Sequence, residues 1–383
     1  MKISILTTDS REHFADYSNP RPYFGTAPEA LLQGLAHLPE CAVHVLSCTQ
    51  QPVTSPKQIA PNIYYHSLHV PKIGWLRTGY QGCIRAVRRK LKEIQPDIVH
   101  GQGTERDCAV SAVLSGFPNV VTIHGNMKAI AEVHQARMGS FNWLAARLED
   151  FVLSRTAGVF CNSEHTENLV RPRTACTWRV PNALREIFFT PIPSRPSNSK
   201  PILLNIGVLN ANKQQVELLG VGRDLHRRGL DLEIQFAGAV PENSNYTSEF
   251  RLLLAEAERA GYARHLGLLP EAQLLTTIDR ADALLHFPKE EAFGLVAAEA
   301  LARNLKLFVA QTGGLIDIVH GAAGVELYAP RDWSALGDGI AAWLRAGHPP
   351  TEDNSARMRS RYHPKLVARR HLEIYRETLS TLS

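Results

Sequence analysis

The sequence predicts an α/β fold with two Rossmann-like, doubly wound domains that face each other across a cleft. Its 383 residues exceed the size at which a single hydrophobic core stops growing. Short apolar runs alternate with amphipathic stretches in both halves of the chain, which is typical of βα units in parallel sheets. Between the halves, the segment TPIPSRPSNSKP is rich in proline and serine and has the composition of a linker.

In the first half, one helix and several strands are predicted from local pattern. The segment GTAPEALLQGLAHL follows a glycine and repeats leucine at helical spacing. Thr26 and Glu29 have the spacing of a capping box, and Pro28 suits a first helical turn. The predicted strands of this half are 2–8, 42–48, 97–103, 119–125 and 158–163.

The second half repeats the alternation and ends in a helix. Its predicted strands are 202–209, 232–238, 283–288, 306–311 and 324–328. We therefore expect a first domain over 1–190, a linker over 191–201, a second domain over 202–363 and a terminal helix over 364–383. The terminal helix is expected to pack back toward the first domain. Ligands of open α/β sheets bind outside the carboxyl ends of the strands, so we expect the site there, in the cleft.

Composition and charge exclude some classes of protein. Apolar runs of about 18 residues are missing, and the start MKISILTTDSREHF becomes charged too early for a signal peptide, so we expect a cytoplasmic protein. The six cysteines are scattered without CxxC pairing, which favours reduced thiols over a zinc site or a disulfide framework. The net charge of +5 is compatible with nucleic acid, an anionic membrane or phosphorylated substrates.

The most informative segment is HFPKEEAFGLVAAEALARN, in which a strand is followed by an acidic loop and an alanine-rich helix. A helix that begins near Gly294 would offer free N–H groups and its positive dipole end to a phosphate. Glu291 stands at the mouth of this helix, and Glu299 lies a turn and a half inside it, where it could accept hydrogen bonds from a ribose diol. The alternative is an amphipathic helix with an exposed pair of glutamates.

Together with Phe293, these residues form the pattern E-x-F-G-x-x-x-x-E, and the segment resembles the motif of family 4 glycosyltransferases. These are retaining enzymes of the GT-B fold. The resemblance implies transfer of a sugar from a nucleotide diphosphate sugar to an acceptor hydroxyl with retention, in the synthesis of a cell-surface polysaccharide or glycolipid. In that family the first glutamate contacts the donor sugar and the second binds the ribose.

A second match lies in NIGVLNANKQQVELL, where Gly207 and Lys213 fit the family's loop G-R-L-x-x-x-K that grips the donor diphosphate. Val208 stands where the family has arginine. This change removes one of two cations that would offset charge on the leaving diphosphate. Asn210 and Asn212 are candidates to replace it.

Other matches are spread over the rest of the chain. His124 ends the run VVTIHGN, where the family has a histidine beside the donor sugar, and a purely structural histidine is the open alternative. Gly25 resembles the glycine of the family's first loop, although Thr26 replaces the second glycine. Gly238 and Leu268 fall in loops that correspond to those enclosing the nucleotide base.

The resemblance thus assigns the catalytic roles to Glu291 and His124. No Asp-x-Asp follows a strand, so we expect no metal and no cofactor, with a UDP- or GDP-linked sugar as the donor. The acceptor is expected to be sugar-containing or lipid-linked, and nucleic acid is not an expected partner. The donor-binding residues are Lys213, Gly207, Phe293, Gly294, Leu295, Glu299, Gly25, Gly238 and Leu268.

Three alternatives stay open. A sugar-nucleotide epimerase also uses two Rossmann-like domains and a diphosphate site. A sugar-nucleotide binder without turnover would fit the loss of the family's arginine at Val208. In YQGCIRAVRRKLKEI, apolar residues line one helical face and cations crowd the others. This helix is either a solvated crossover or a surface that contacts anionic membrane at the inner face.

Overall fold

The protein divides into two compact units, Met1–Glu186 with Arg361–Ser383, and Ile187–Ser360. The computed structural model describes residues 1–14, 16–133, 135–194, 198–242 and 244–382. Each unit is an α/β domain built on a sheet of mainly parallel strands, which confirms the predicted fold class.

The strands include all ten predicted runs, each shortened or extended at its ends by a few residues. They are β1 (Lys2–Leu6), β2 (Ala42–Thr49), β3 (Gln58–Ala60), β4 (Ile63–His69), β5 (Ile98–Gln102), β6 (Asn119–Ile123), β7 (Val159–Cys161), β8 (Thr177–Arg179), β9 (Ile202–Ile206), β10 (Glu233–Ala237), β11 (Ala263–Gly267), β12 (Ala283–His286), β13 (Lys306–Ala310) and β14 (Val325–Tyr328).

Helices connect most of these strands. They are α1 (Ser10–Phe14), α2 (Thr26–Ala36), α3 (Gln81–Ile94), α4 (Asp107–Val113), α5 (Met127–Val133), α6 (Phe141–Leu153), α7 (Glu164–Val170), α8 (Gln215–Arg227), α9 (Asn245–Ala260), α10 (Glu271–Arg280), α11 (Leu295–Ala302), α12 (Leu315–Val319), α13 (Trp333–Arg345), α14 (Ser355–Tyr362) and α15 (Pro364–Leu382).

The sheet of the first unit has the order β3-β4-β2-β1-β5-β6-β7-β8 and is parallel except between β3 and β4. The strands β3, β4 and β8 were not predicted from the sequence. In β4 only Ile63 and Tyr65 are buried, and its other side chains are polar or partly exposed. An outer strand of this kind lacks the continuous apolar run that marks a central parallel strand.

Both faces of this sheet are covered. Along β1, the side chains of Ile3 and Ile5 pack into one core with α2 and α15, whereas Leu6 packs into the other core with α3 and α4. Alternation with period two sends neighbouring residues of a strand to opposite faces. The apolar runs of the central strands therefore follow from burial on both sides.

The start of α2 differs from the prediction. The capping box expected for Thr26 and Glu29 is wrong, because Thr26 already lies in the helix and Gly25 is the N-cap residue. Gly25 has no side chain that could accept a hydrogen bond, and its backbone oxygen instead accepts the N–H of Glu29 at 3.0 Å.

The terminal helix α15 packs on the first unit against α2. His371 and Tyr375 of α15 surround the buried ring of Phe160, with a centroid distance of 4.5 Å between His371 and Phe160. Gly34 of α2 lies so close to the backbone of α15 that a Cβ built on it would stand 2.2 Å from the carbonyl oxygen of Pro364. Only glycine allows this approach of the two helices.

The second unit contains a parallel sheet in the order β11-β10-β9-β12-β13-β14. The strand β11 was not predicted, because its sequence ARHLG carries polar residues and is only partly buried. The loops that follow the carboxyl ends of strands β9 to β13 carry most of the predicted donor-binding residues.

The boundary between the units lies four residues before the predicted end of the first domain, which was residue 190. Arg303 explains this position. Its guanidinium is 1% exposed, pairs with Asp279 at 2.7 Å and donates to the backbone oxygen of Thr190 at 2.6 Å. The start of the proline- and serine-rich segment is therefore fixed within the second unit.

None of the helices in the described part of the chain combines enough length with enough apolar character to cross a membrane.

We expect Gly34→Val to lower the free energy of unfolding by at least about 2 kcal/mol, because the new side chain must displace the backbone of α15. Urea titration followed by circular dichroism measures this loss. Gly220→Ala is the matched control, since Gly220 also lies inside a helix but has open space around it. It should be neutral or stabilising by up to about 1 kcal/mol. Equal stability of Gly34→Val and the parent would contradict the close packing of α2 on α15.

Candidate functional site

The predicted donor-binding residues of the second unit collect at one edge of its sheet. Gly207 follows β9, Gly238 follows β10, and Leu268 follows β11. The N–H of Gly238 donates to the backbone oxygen of Gly267 at 2.8 Å, which ties two of these loops together. Leu268 is 66% exposed. Because the strands are parallel, all their carboxyl ends lie at the same edge.

Glu291 lies at this edge between two basic groups. Its Oε2 accepts from the Nζ of Lys213 at 2.6 Å and from the Nε2 of His286 at 3.0 Å. Burial alone would raise the pKa of Glu291, but the ammonium of Lys213 and the hydrogen bond from His286 outweigh it and hold the pKa well below its usual range. Glu291 is therefore an anion whose position is fixed from two sides.

His286 is the last residue of β12 and is almost completely buried. Burial lowers the pKa of His286, because it disfavours the charged imidazolium more than Glu291 favours it. A neutral His286 donates its Nε2–H to Glu291. His286 lies five residues before Glu291 in the segment that carries the motif, but its role was not predicted from the sequence.

The loop that carries Lys213 is fastened to the loop after β12. Asn212 Nδ2 donates to the backbone oxygen of Glu290 at 2.9 Å, and its Oδ1 accepts the N–H of Glu290 at 3.0 Å. Asn210 Oδ1 accepts the N–H groups of Asn212 and Lys213. Both asparagines thus hold the loop, and Val208 beside them is 47% exposed. The structure gives the two amides a positioning role rather than that of the cation absent at Val208.

A glycine turn supports Glu291 from the other side. Gly313 has φ +48°, and a Cβ built on it would stand 2.1 Å from the backbone oxygen of Glu291. The next residue, Gly314, donates its N–H to that same oxygen at 2.8 Å. The pair Gly313-Gly314 lies in the segment QTGGLIDIV, and the close approach explains why no side chain fits at Gly313.

The helix α11 begins directly beyond this acidic loop. Gly294 is its N-cap residue with φ +102°, so Leu295 is the first helical residue. Phe293 is buried and anchors the turn, whereas Glu299 is 2% exposed inside the helix. The N-terminal turn of α11 and the ammonium of Lys213 thus flank Glu291, as expected for a site that binds phosphate. The separate roles of Glu291 and Glu299 stay predictions.

In the first unit, His124 follows the end of β6 and lies beside Gln102, the last residue of β5. The Nε2 of His124 is 2.9 Å from the Oε1 of Gln102. Burial of the ring lowers the pKa of His124 to about 4, so His124 is neutral at pH 7. Gln102 was not predicted from the sequence, because its pairing with His124 depends on the register of two strands.

Gly25 lies at the start of α2 with φ +79° and open space around its Cα. It lies at the end of the segment between α1 and α2. Its predicted contact with the donor stays a prediction.

One group of side chains in the described residues has a spacing compatible with a metal ion. It consists of Cys48, Cys83 and Asp107, whose sulfur and carboxylate atoms lie within 4.8 Å of one another. All three are buried in the first unit. Burial raises the pKa of Asp107, which a hydrogen bond from the thiol of Cys48 opposes. The thiol of Cys48 thus gives the carboxylate of Asp107 a partner within the core.

Two family models match the chain in succession. "Glycosyltransferase Family 4" matches residues 29–182, and "Glycosyl transferases group 1" matches residues 190–361. The chain belongs to the family 4 glycosyltransferases of the GT-B fold. Both domains of this glycosyltransferase are thus matched, the second over the edge that carries Lys213 and Glu291.

Two curated relatives show low but extended identity. A "Glycogen synthase" of Mycobacterium tuberculosis is 26% identical over 266 residues, which are 65% of this chain and 60% of the relative. The matched region is therefore less than two thirds of that relative's length. The "Phosphatidylinositol N-acetylglucosaminyltransferase GPI3 subunit" of Saccharomyces cerevisiae is 23% identical over 318 residues, 78% of this chain and 67% of the relative.

Among solved structures, the sucrose-phosphate synthase of Thermosynechococcus elongatus is similar to this glycosyltransferase over 100% of both chains. The TM-score is 0.78 at 17% sequence identity. This likeness supports the GT-B fold.

The ionised state of Glu291 predicts how stability depends on pH. A carboxyl whose pKa is depressed on folding stabilises the fold fully above its unfolded pKa of about 4.3, and this contribution is lost as the pH falls toward the folded pKa. We expect Glu291→Gln to cost about 1–3 kcal/mol at pH 7. The difference from the parent should shrink as the pH falls below about 4.

Urea titrations at pH 7 and at decreasing acidic pH measure this difference. Glu249→Gln is the control, because Glu249 is an exposed glutamate of α9. It should leave the stability unchanged at each pH. A cost of Glu291→Gln that is the same at all pH values would contradict the ionised pair with Lys213.

Proposed function

We propose that this protein transfers a sugar from a nucleotide diphosphate sugar to an acceptor hydroxyl, with retention of anomeric configuration. The observation that carries the proposal is the arrangement at one sheet edge of the ion pair Lys213–Glu291, with His286 behind it, beside the N-terminus of α11. Family membership supports the same activity.

Phosphate recognition is assigned to Lys213 and the first turn of α11. An ammonium and the free N–H groups of a helix N-terminus are both suited to a diphosphate, and they stabilise the charge that develops on it as it leaves. Since these groups supply positive charge, we propose a mechanism that needs no metal. Binding of the diphosphate would draw the ammonium of Lys213 partly away from Glu291.

The two glutamates are assigned to different parts of the donor. Glu291 has an ionised carboxylate just before the N-terminus of α11, and we assign it to contact with the transferred sugar. Glu299 is buried within α11, and we assign it to the ribose. Gly207, Gly238 and Leu268 belong to loops at the same edge, where backbone and apolar contacts to the nucleotide are proposed.

A panel of UDP- and GDP-linked sugars tests the proposed class of reaction. With a suitable acceptor, a transferase liberates nucleotide diphosphate. An epimerase alters the sugar without releasing nucleotide, and a binder without turnover only raises the melting temperature. Release of nucleotide diphosphate that depends on acceptor is the expected result, and either of the other two outcomes would contradict the proposal.

We expect Glu299→Ala to weaken the binding of free nucleotide diphosphate by about 1–3 kcal/mol, because it removes an acceptor for the ribose diol in a buried position. Glu291→Gln should bind that nucleotide as tightly as the parent or slightly tighter, since Lys213 loses its anionic partner. Its defect should appear in the turnover of the intact donor.

Calorimetry with UDP and GDP, set beside initial rates of nucleotide release, measures both effects. Melting temperatures of the two variants control for loss of the fold. Equal weakening of nucleotide binding by both substitutions would mean that the glutamates only hold the helix, and the separate assignments would be wrong.

For the acceptor, we propose a sugar-containing or lipid-linked molecule presented at the cytoplasmic face of a membrane. From Cys41 to Lys92 the sequence has no Asp or Glu but eight Lys and Arg, more than the net +5 of the whole chain. The GPI3 relative, by its name, acts on phosphatidylinositol. A segment with this charge favours an anionic lipid surface.

The exposed face of α3 carries much of this charge. Arg85, Arg88, Arg89 and Lys92 are all exposed, and they form no ion pair with any residue that the structure describes. The opposite face of α3 is buried, as its amphipathic pattern predicts. Arg85 and Arg89 line a groove of about 750 Å³ together with Ile73, whose side chain is 81% exposed. Cations beside an exposed isoleucine match an anionic bilayer better than nucleic acid.

We expect the triple variant Arg85→Gln, Arg88→Gln, Arg89→Gln to bind anionic vesicles on the order of 100-fold more weakly, at about 1 kcal/mol for each cation. Flotation with vesicles of phosphatidylglycerol and phosphatidylcholine measures this. A control variant with Arg227, Arg251 and Arg345 changed to Gln removes the same charge from exposed positions of the second unit. Equal binding of the vesicles by the two triple variants, or no binding by the parent protein, would contradict the membrane contact. In that case α3 is a crossover helix whose charged face is only solvated.

A further inference from the structure

Gln102 and His124 meet because of strand register. Gln102 of β5 pairs with Thr122 of β6 in the sheet, and His124 lies two residues beyond Thr122 on the same strand direction. Residues two apart on a strand point to the same face. The side chains of Gln102, Thr122 and His124 therefore lie together, and the ring of His100 joins them from β5.

The amide of Gln102 has a defined orientation in this group. Its Nε2 lies 3.2 Å and 3.4 Å from the two ring nitrogens of His100, and its Oε1 faces the Nε2 of His124 at 2.9 Å. An amide nitrogen only donates, and an amide oxygen only accepts. With the amide in this orientation, His124 presents a donor to Gln102.

The ring of His100, against which the amide of Gln102 lies, is held at both nitrogens and on one face. Its Nδ1 is 2.5 Å from the hydroxyl of Tyr375 and its Nε2 is 2.7 Å from the hydroxyl of Thr122. Its face stacks on Phe160 with a centroid distance of 4.9 Å. His100 is fully buried, and burial lowers its pKa well below the usual value, so it stays neutral.

We propose that Gln102 is a positioning residue that fixes His124 in the Nε2–H tautomer and leaves its Nδ1 as a hydrogen-bond acceptor for a substrate hydroxyl. A neutral imidazole has a hydrogen on only one of its two ring nitrogens, and the oxygen of Gln102 accepts a hydrogen bond from that N–H group. The Nδ1 of His124 is itself buried and has no partner among the residues that the structure describes.

This assignment has a consequence for the substrate, and that part rests on the proposed function. A bare imidazole nitrogen accepts a hydrogen bond from a hydroxyl but repels an anion or an ether oxygen. The sugar must therefore present a hydroxyl to His124. The same nitrogen cannot act as a general acid, because it carries no proton at pH 7.

Nuclear magnetic resonance tests the tautomer without any measurement of activity. Two-bond correlations between ring protons and ¹⁵N nuclei distinguish an Nε2–H ring from an Nδ1–H ring. His124→Gln identifies the signals of His124 by their loss. We expect the Nε2–H pattern in the parent protein. An Nδ1–H pattern, or a charged ring at pH 7, would overturn the proposal.

Gln102→Met tests the role of the amide, because methionine has a similar shape but no acceptor for the Nε2–H. We expect a mixture of tautomers in the spectra and a kcat that is roughly 10- to 100-fold lower, with the Kd for nucleotide diphosphate within about twofold of the parent. Gln235→Met is the matched control, since Gln235 is another buried glutamine on a central strand, in the second unit. It should leave kcat and the tautomer unchanged.

Donor analogues locate the hydroxyl. At the carbon that faces His124, the deoxy and the fluoro analogue should both lose the hydrogen bond to His124, because neither can donate. With these analogues Gln102→Met should cause little further loss. If the Gln102→Met variant is much slower than the parent enzyme with every analogue, the amide of Gln102 does not act through this hydroxyl. A parent that releases no nucleotide from any donor contradicts the proposed function alone, since the tautomer is decided by the spectra.

Discussion

The parallel arrangement of the strands is the constraint on which the rest of the molecule depends. Parallel neighbours need a long connection, so each strand is followed by a loop and usually a helix, and all carboxyl ends meet at one edge. In the second unit this edge brings Lys213 and Glu291 to 2.6 Å although 78 residues separate them. In the first unit it brings Gln102 to His124. Both pairs result from sheet order rather than from closeness in the sequence.

The two units satisfy their buried polar groups in different ways. In the second unit a carboxylate is kept ionised by an ammonium and a neutral imidazole, which suits the proposed binding of a diphosphate. In the first unit, His100, Gln102 and His124 are linked through neutral donors and acceptors. These contacts hold one orientation of each ring and leave the Nδ1 of His124 buried without a partner among the described residues.

Much of the fold was predictable, because apolar runs and helical spacing are local signals. The strands β1, β2 and β9 follow from such runs, whereas β4 and β11 escaped because an outer strand can be half polar. The same limit applies to the site. Glu291 and Glu299 lie in a contiguous motif, whereas the contacts of His286 and Gln102 depend on loop packing and strand register. A short segment of sequence does not reveal such contacts.

The hydrogen bonds that Arg303 donates to the start of the proline- and serine-rich segment determine where an expressible fragment of the second unit should begin. A fragment designed from composition would begin near residue 202, after the proline- and serine-rich segment. Such a fragment would lack the backbone oxygens of Phe188 and Thr190, to which Arg303 donates, and would leave part of a buried guanidinium without acceptors. The natural starting point of the second unit as a fragment is therefore Ile187, where the compact unit itself begins.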